Sequence, residues 1–244
     1  MCKDLFKSWL VERYIAHRGL HTETCPENTL GAFENAIREQ TPVELDVQEI
    51  ADGTLVVFHD KSLQRLTGQD GYIKNLTKDV LSNYKILGSD YSIPTLEEVL
   101  ALINGQVPVL FEHKNEGKVG SLEKSFWNMI KDYQGEYAIQ SFNPFTLEWF
   151  KNNAPNVIRG QISSLINNQN FSFVKRLLLK KMVFNKKISQ PHFISYNAQN
   201  LPNRYVKKFK DLPLLAWTIK SQEQYLEILK YCDNIIFEGF EPRI

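Results

Sequence analysis

Glu44, Asp46 and Gln48 alternate with Val43, Leu45 and Val47 in a short β-type run. Period-two alternation puts the three polar residues on one face of a strand and the three apolar ones on the other. Carboxylates two residues apart on one face lie about 7 Å apart, a spacing that one cation bridges. Without a cation or a shared proton the two charges repel; the alternative is a solvated hairpin edge. The run Val43–Ile50 is followed by Asp52-Gly53 and then by Thr54–His59, a strong hairpin signal. If the loop has two residues, Ala51 faces Thr54. Counting back then places Asp46 opposite His59, with Cβ atoms about 5 Å apart.

Further candidates sit where other strands end. His17-Arg18-Gly19 closes an apolar run. A histidine moves protons near neutral pH, and an arginine fork holds a phosphate. Glu112 and Lys114 are again two apart on one face, and Lys114 is a candidate phosphate point charge. His113 between them is expected to face away from the site as a structural residue. Gln140, Gln161, Tyr196 and Trp217 end later strands; there they either wall a small pocket or pack in the core.

The elements that must position these residues alternate. Strand candidates are Tyr14–His17, Val43–Gln48, Val107–Glu112, Tyr137–Ser141, Val157–Ile162, His192–Tyr196, Leu214–Thr218 and Asn234–Phe237. Helical patterns lie between them at Leu30–Glu39, Leu96–Ile103, Leu122–Asp132, Phe145–Asn152, Phe171–Phe184, Arg204–Lys208 and Gln222–Tyr231. That succession predicts a parallel sheet of α/β class, closed as a (β/α)8 TIM barrel. A β-hairpin extends the second strand, and Asp60–Tyr91, without a long periodic pattern, is a small insertion after it. Lys3–Val11 is a possible covering helix.

Length and composition agree with a single domain over residues 1–244. Lys plus Arg number 29 and Asp plus Glu 28, a net charge of +1, which argues against a nucleic-acid binder. Cys2, Cys25 and Cys232 are odd in number and unclustered, the pattern of reduced thiols in a cytoplasmic protein. No run approaches the roughly 18 apolar residues of a membrane span, and the N-terminus lacks a signal-peptide core. Phe171–Lys187 carries Lys175, Arg176, Lys180, Lys181, Lys186 and Lys187 without an acid. This is a barrel-packing helix with a basic edge or a weak peripheral contact with anionic lipid.

The motifs in order are His17-Arg18-Gly19, Pro26-Glu27-Asn28-Thr29, Glu44-Leu45-Asp46-Val47, Asp52-Gly53, His59-Asp60, Leu66-Thr67-Gly68, Ile93-Pro94-Thr95-Leu96, Glu112-x-Lys114, Ser141-Phe142 and Trp217-Thr218. Together they resemble the glycerophosphodiester phosphodiesterases, whose fold is a (β/α)8 barrel with a small insertion after the His-Asp motif. The resemblance implies that His17 and His59 form an acid–base pair, His17 as base and His59 as acid. It implies that Arg18 and Lys114 hold the phosphodiester and that Trp217 lines the alcohol side of the pocket. Glu44, Asp46 and Glu112 would bind one divalent cation, and such hard oxygen ligands suit Mg2+ or Ca2+. The expected reaction is hydrolysis of a glycerophosphodiester to sn-glycerol 3-phosphate and an alcohol such as choline or ethanolamine, with water or the glycerol 2-hydroxyl as nucleophile. His113, in place of an aliphatic residue, and Glu241-Pro242 depart from the family pattern. Two other readings are a lipid-cleaving phospholipase of related fold and a Schiff-base aldolase using Lys114, although Glu112 beside it would keep that amine charged.

Overall fold

The computed structural model describes residues 5–115, 117–165 and 185–243. The helical pattern at Phe171–Phe184 lies outside them, as does most of the basic segment Phe171–Lys187. No helix among the described residues is long and apolar enough to cross a membrane.

Two compact units are built from the chain: residues 16–137, and residues 5–15 with 138–243. In the latter, the N-terminal segment is broken at Ser8, whose hydroxyl donates to the Leu5 carbonyl at 2.7 Å. The expected covering helix is therefore a 3-10 turn, Leu5–Lys7, followed by α1, Trp9–Glu12.

The 16–137 unit carries the end of β1 (Ile15–Ala16), α2 (Leu30–Arg38), β2 (Val43–Glu49), β3 (Leu55–Val57), α3 (Gln64–Thr67), α4 (Leu96–Ile103), β4 (Val109–His113) and α5 (Ser121–Ile130). β2 pairs parallel with both β1 and β4, and apart from its last residue its burial is continuous. Burial on both faces is what a parallel strand between neighbours requires. Caps fix where the helices begin. Thr29 accepts from the Ala32 amide ahead of α2, and Thr95 forms a capping box with Glu98 ahead of α4.

The other unit continues with β5 (Tyr137–Ser141), which begins one residue inside the first unit, then α6 (Pro144–Asn153), β6 (Arg159–Ser163), β7 (Phe193–Asn197), β8 (Leu214–Ile219), α7 (Gln222–Ile228) and β9 (Asn234–Phe237). Its ladders β5–β6, β6–β7, β7–β8 and β8–β9 are all parallel. Where the sequence pattern suggests a helix at Arg204–Lys208, the chain makes a 3-10 turn, Val206–Phe209. The strand order β1-β9-β8-β7-β6-β5-β4-β2-β3, with β1 also paired to β2, is cyclic. Eight parallel strands with intervening helices and one antiparallel appendage, β3, make this a (β/α)8 barrel.

The hairpin differs from expectation by one residue. Val47 pairs with Val57, Gln48 with Val56 and Glu49 with Leu55. The Ile50 amide donates to the Thr54 carbonyl at 3.0 Å, so the loop is Ala51-Asp52-Gly53. Of these only Gly53 has positive φ, at 84°, whereas the two-residue type I′ turn needs two such residues. Asp52 instead accepts from the Thr54 amide at 3.0 Å and the Lys78 amide at 2.8 Å, tying the loop to the insertion. Asp46 consequently lies opposite Phe58, whose amide donates to its carbonyl, and His59 lies just beyond β3.

The insertion folds as short turns around an apolar cluster that it shares with the hairpin. Leu63, Leu66, Ile73, Leu76, Leu81 and Ile86 pack with Ile50, Val56, Phe58 and Ile93.

Candidate active site

β2 and β4 run in parallel register with Asp46 beside Glu112, while Glu44 lies two residues back on the same face. All three side chains are buried, and one carboxylate oxygen from each lies within 4.8 Å of the others. Three such groups cannot all be ionised without compensating positive charge. Burial raises the Glu44 carboxyl well above the usual range, and the neighbouring Asp46 and Glu112 charges raise it further. Burial, helped by Asp46, also raises Glu112. Burial pushes Asp46 the same way, but Lys114 and Arg18 outweigh it and hold Asp46 low and ionised.

Lys114, at the end of β4, is anchored by its amide to the Val47 carbonyl at 3.0 Å. Its Nζ lies 2.9 Å from Asp46 Oδ1 and pairs with Glu112 Oε1. Burial opposes its charge, yet Asp46 and Glu112 win and keep the amine protonated. Glu44 Oε1 is buried with no hydrogen-bond partner among the described residues. Oxygen donors this close, one of them orphaned, fit a divalent cation of the hard class.

The loop after β1 turns tightly to reach this cluster. Arg18 is in the left-handed region at φ 57°, and its amide donates to Glu44 Oε2 at 3.2 Å. Its Nε lies at ion-pair distance, 3.3 Å, from Asp46 Oδ2, and its Nη1 donates to Glu27 at 2.5 Å. Gly19 has φ 79°, and a Cβ there would stand 3.0 Å from the Ala32 Cβ, so the turn requires glycine. Asn28 is buried and donates from Nδ2 to Asp46 Oδ2 at 2.8 Å.

His59 is a third exposed. Its Nδ1 lies 2.6 Å from Asp60 Oδ1. Asp60 also accepts from Arg65, and its carboxyl is lowered to about 2 despite partial burial, the Arg65 and His59 hydrogen bonds prevailing. An ionised Asp60 must accept, so His59 Nδ1 carries the proton and Nε2 is left for chemistry. Gln48 Nε2 donates to the carbonyls of Phe58, at 2.6 Å, and Asp60, at 3.0 Å, bracketing His59. The charges of His17 and His59 both help to keep the Asp46 carboxyl low, which places both imidazoles within electrostatic reach of it.

The profile of the glycerophosphoryl diester phosphodiesterase family matches residues 17–237. The chain belongs to that family. A glycerophosphodiester phosphodiesterase of Caldanaerobacter subterraneus is 34% identical over 154 residues, covering 59% of this chain and 63% of that relative. One from Bacillus altitudinis is 28% identical over 243 residues, 95% of this chain and 96% of the relative. Among solved structures, an Oleispira antarctica phosphodiesterase in complex with the product sn-glycerol-3-phosphate superposes with a TM-score of 0.75 at 24% identity, covering 93% of both chains. A glycerophosphodiester phosphodiesterase from Thermotoga maritima gives 0.69 at 24% identity, covering 93% of this chain and 94% of its own. At these identities the structures show the shared fold.

Of the residues singled out in the sequence, Arg18, Glu44, Asp46, Glu112 and Lys114 are brought into one cluster, and His17 and His59 are within electrostatic reach of Asp46. Trp217 lies on β8 in the other compact unit, edge-on to Phe142 with ring centroids 5.7 Å apart. His113 is buried and stacks edge-on against Phe126, a structural role for which burial lowers it to about 4. Sequence reasoning missed Glu27, Asn28, Asp60 and Arg65 as parts of the site, and it gave Gln48 no task. All five lie within or directly beside the recognised motifs, but their roles depend on contacts between separate segments. Arg65, inside the insertion, carries no spacing signal.

Proposed function

We propose that the protein hydrolyses glycerophosphodiesters, the deacylated phospholipids such as glycerophosphocholine, to sn-glycerol 3-phosphate and a free alcohol. The observation that carries this reading is the buried Glu44–Asp46–Glu112 cluster with Arg18 and Lys114 upon it and His17 and His59 within its field. Glu44, Asp46 and Glu112 would hold one divalent cation, Mg2+ or Ca2+, which supplies electrostatic stabilisation of charge on the non-bridging phosphate oxygens. Arg18 and Lys114 add fixed positive charge at the same place. His17 takes the proton of the nucleophile, and His59, as the imidazolium protonated on both nitrogens with its Nδ1 held by Asp60, gives the Nε2 proton to the leaving alkoxide. Trp217 would line the alcohol side of the pocket. The free thiols of Cys25 and Cys232 support a cytoplasmic setting. Lys114, kept protonated by Asp46 and Glu112, is in the wrong state for Schiff-base chemistry.

The test is release of sn-glycerol 3-phosphate from a panel of deacylated phospholipids, with intact lipids in parallel. His17→Ala and His59→Ala should each lower kcat by about 10²–10⁴-fold with the fold intact. Near wild-type turnover in either variant removes that histidine from its assigned role.

A further inference from the structure

Arg65 lies in α3, part of the insertion, and its sequence neighbours give it no task in the chemistry. Its side chain is about half exposed, and an isolated surface ion pair of that kind contributes little. The geometry here differs from an isolated pair. Nη1 and Nη2 donate to Glu27 Oε2 and Oε1 at 2.9 and 2.8 Å, while Nε and Nη2 donate to Asp60 Oδ2 and Oδ1 at 2.6 and 3.0 Å. One planar fork thus grips two carboxylates bidentately, the arrangement for which guanidinium is suited and ammonium is not.

Each of the two acids has a second partner. Glu27 Oε1 accepts from Arg18 Nη1, and Asp60 Oδ1 accepts from His59 Nδ1. A continuous path therefore runs from Asp46 through Arg18, Glu27, Arg65 and Asp60 to His59. We propose that Arg65 is a positioning residue that locks the phosphate-binding arginine and the His59 imidazole into one fixed arrangement, so that the insertion is a working part of the site. The claim rests on the function proposed above, in which Arg18 grips the diester and His59 protonates the leaving group. Arg65 itself touches neither the cation ligands nor the reacting atoms. It works through Glu27 on substrate binding and through Asp60 on turnover.

Partners that orient catalytic side chains typically contribute 10–100-fold. Arg65→Ala should lower kcat/KM by that factor, with a higher KM and a lower kcat together. Asp60→Asn should lower mainly kcat, and Glu27→Gln should raise mainly KM. Millimolar guanidinium, far below denaturing levels, should restore part of the Arg65→Ala activity. Arg65→Lys, reaching one carboxylate at a time, should fall between wild type and alanine. In an Asp60→Asn background the kcat loss from Arg65→Ala should shrink; an unchanged factor in both backgrounds would overturn the coupling. Lys78→Ala, which removes an exposed pair between the insertion and Glu97 of α4, is the control for general loosening.

A readout independent of turnover separates this idea from the functional one. In 15N-histidine NMR of the Mg2+-loaded protein, the His59 ring, assigned through His59→Gln, should show a protonated Nδ1. In Arg65→Ala the signal should move towards a tautomer mixture. An unmoved signal together with unchanged kinetics overturns the clamp while leaving the diesterase standing. A wild-type protein that cleaves no glycerophosphodiester, yet shows the NMR shift, overturns the function and leaves the clamp.

Discussion

At the scale of single residues, the site is a problem of charge. Lys114 stands among Asp46, Glu112 and Glu44 and offsets carboxylates that burial would otherwise force to hold protons. Breaking a buried pair by removing one partner typically costs about 3–5 kcal/mol. Lys114→Met should therefore lose roughly 3 kcal/mol in urea unfolding with EDTA present, and Mg2+ or Ca2+ should return much of it. An equal loss with and without cation would show that the cation does not take over the charge compensation that Lys114 provides. Asp60 gives a pH prediction. Its carboxyl is lowered from the ordinary 3.8 to about 2, so its contribution to stability is present above 3.8 and is lost as pH falls through about 2. Asp60→Asn should flatten the acid limb of the stability curve in that window, read by circular dichroism against pH.

At the scale of elements, the strand β2 does two things. Its register against β4 sets Asp46 beside Glu112, and the amide of Gln48 ties its far end to the backbone on either side of His59. Gln48→Leu removes both bonds and leaves buried carbonyls unsatisfied, so a loss of about 1–3 kcal/mol is expected. A drop in kcat larger than that for a matched core substitution should accompany it; parallel urea melts and turnover on glycerophosphocholine decide this. The insertion packs in an apolar cluster that it shares with the hairpin, and in it Leu66 is fully buried. Leu66→Ala should cost about 2–5 kcal/mol by cavity formation. Because Leu66 adjoins Arg65 in α3, this variant should also lose activity, and hydrogen exchange localised to the insertion would separate local from global loosening.

At the scale of the whole molecule, the consequence is linkage. A ligand that binds only the folded protein stabilises it by about 2.7 kcal/mol at a hundred times its Kd. The Tm should therefore rise with added Mg2+ or Ca2+, and again with sn-glycerol 3-phosphate in the presence of the cation. The rise should vanish in Glu44→Gln. A product-dependent rise that persists in EDTA would argue that the anion is held by Arg18 and Lys114 without a metal.

Much of this was determined by the sequence alone. Short apolar runs alternating with helical patterns set the barrel class, and β5 and β9 fall on the predicted residues because short runs bounded by turn signals have no competing local structure. The Glu44–Asp46 pair was readable because a strand's pleat fixes which side chains share a face, whereas Glu112 joined it only through the family resemblance. Only the tertiary structure decided the rest. The hairpin register turned on a single positive-φ glycine and on the Asp52 bond to Lys78, far along the chain. The path from Glu27 through Arg65 to Asp60 joins two loops by side-chain charge. Local periodicity records how one segment folds, whereas such contacts depend on where separate segments meet.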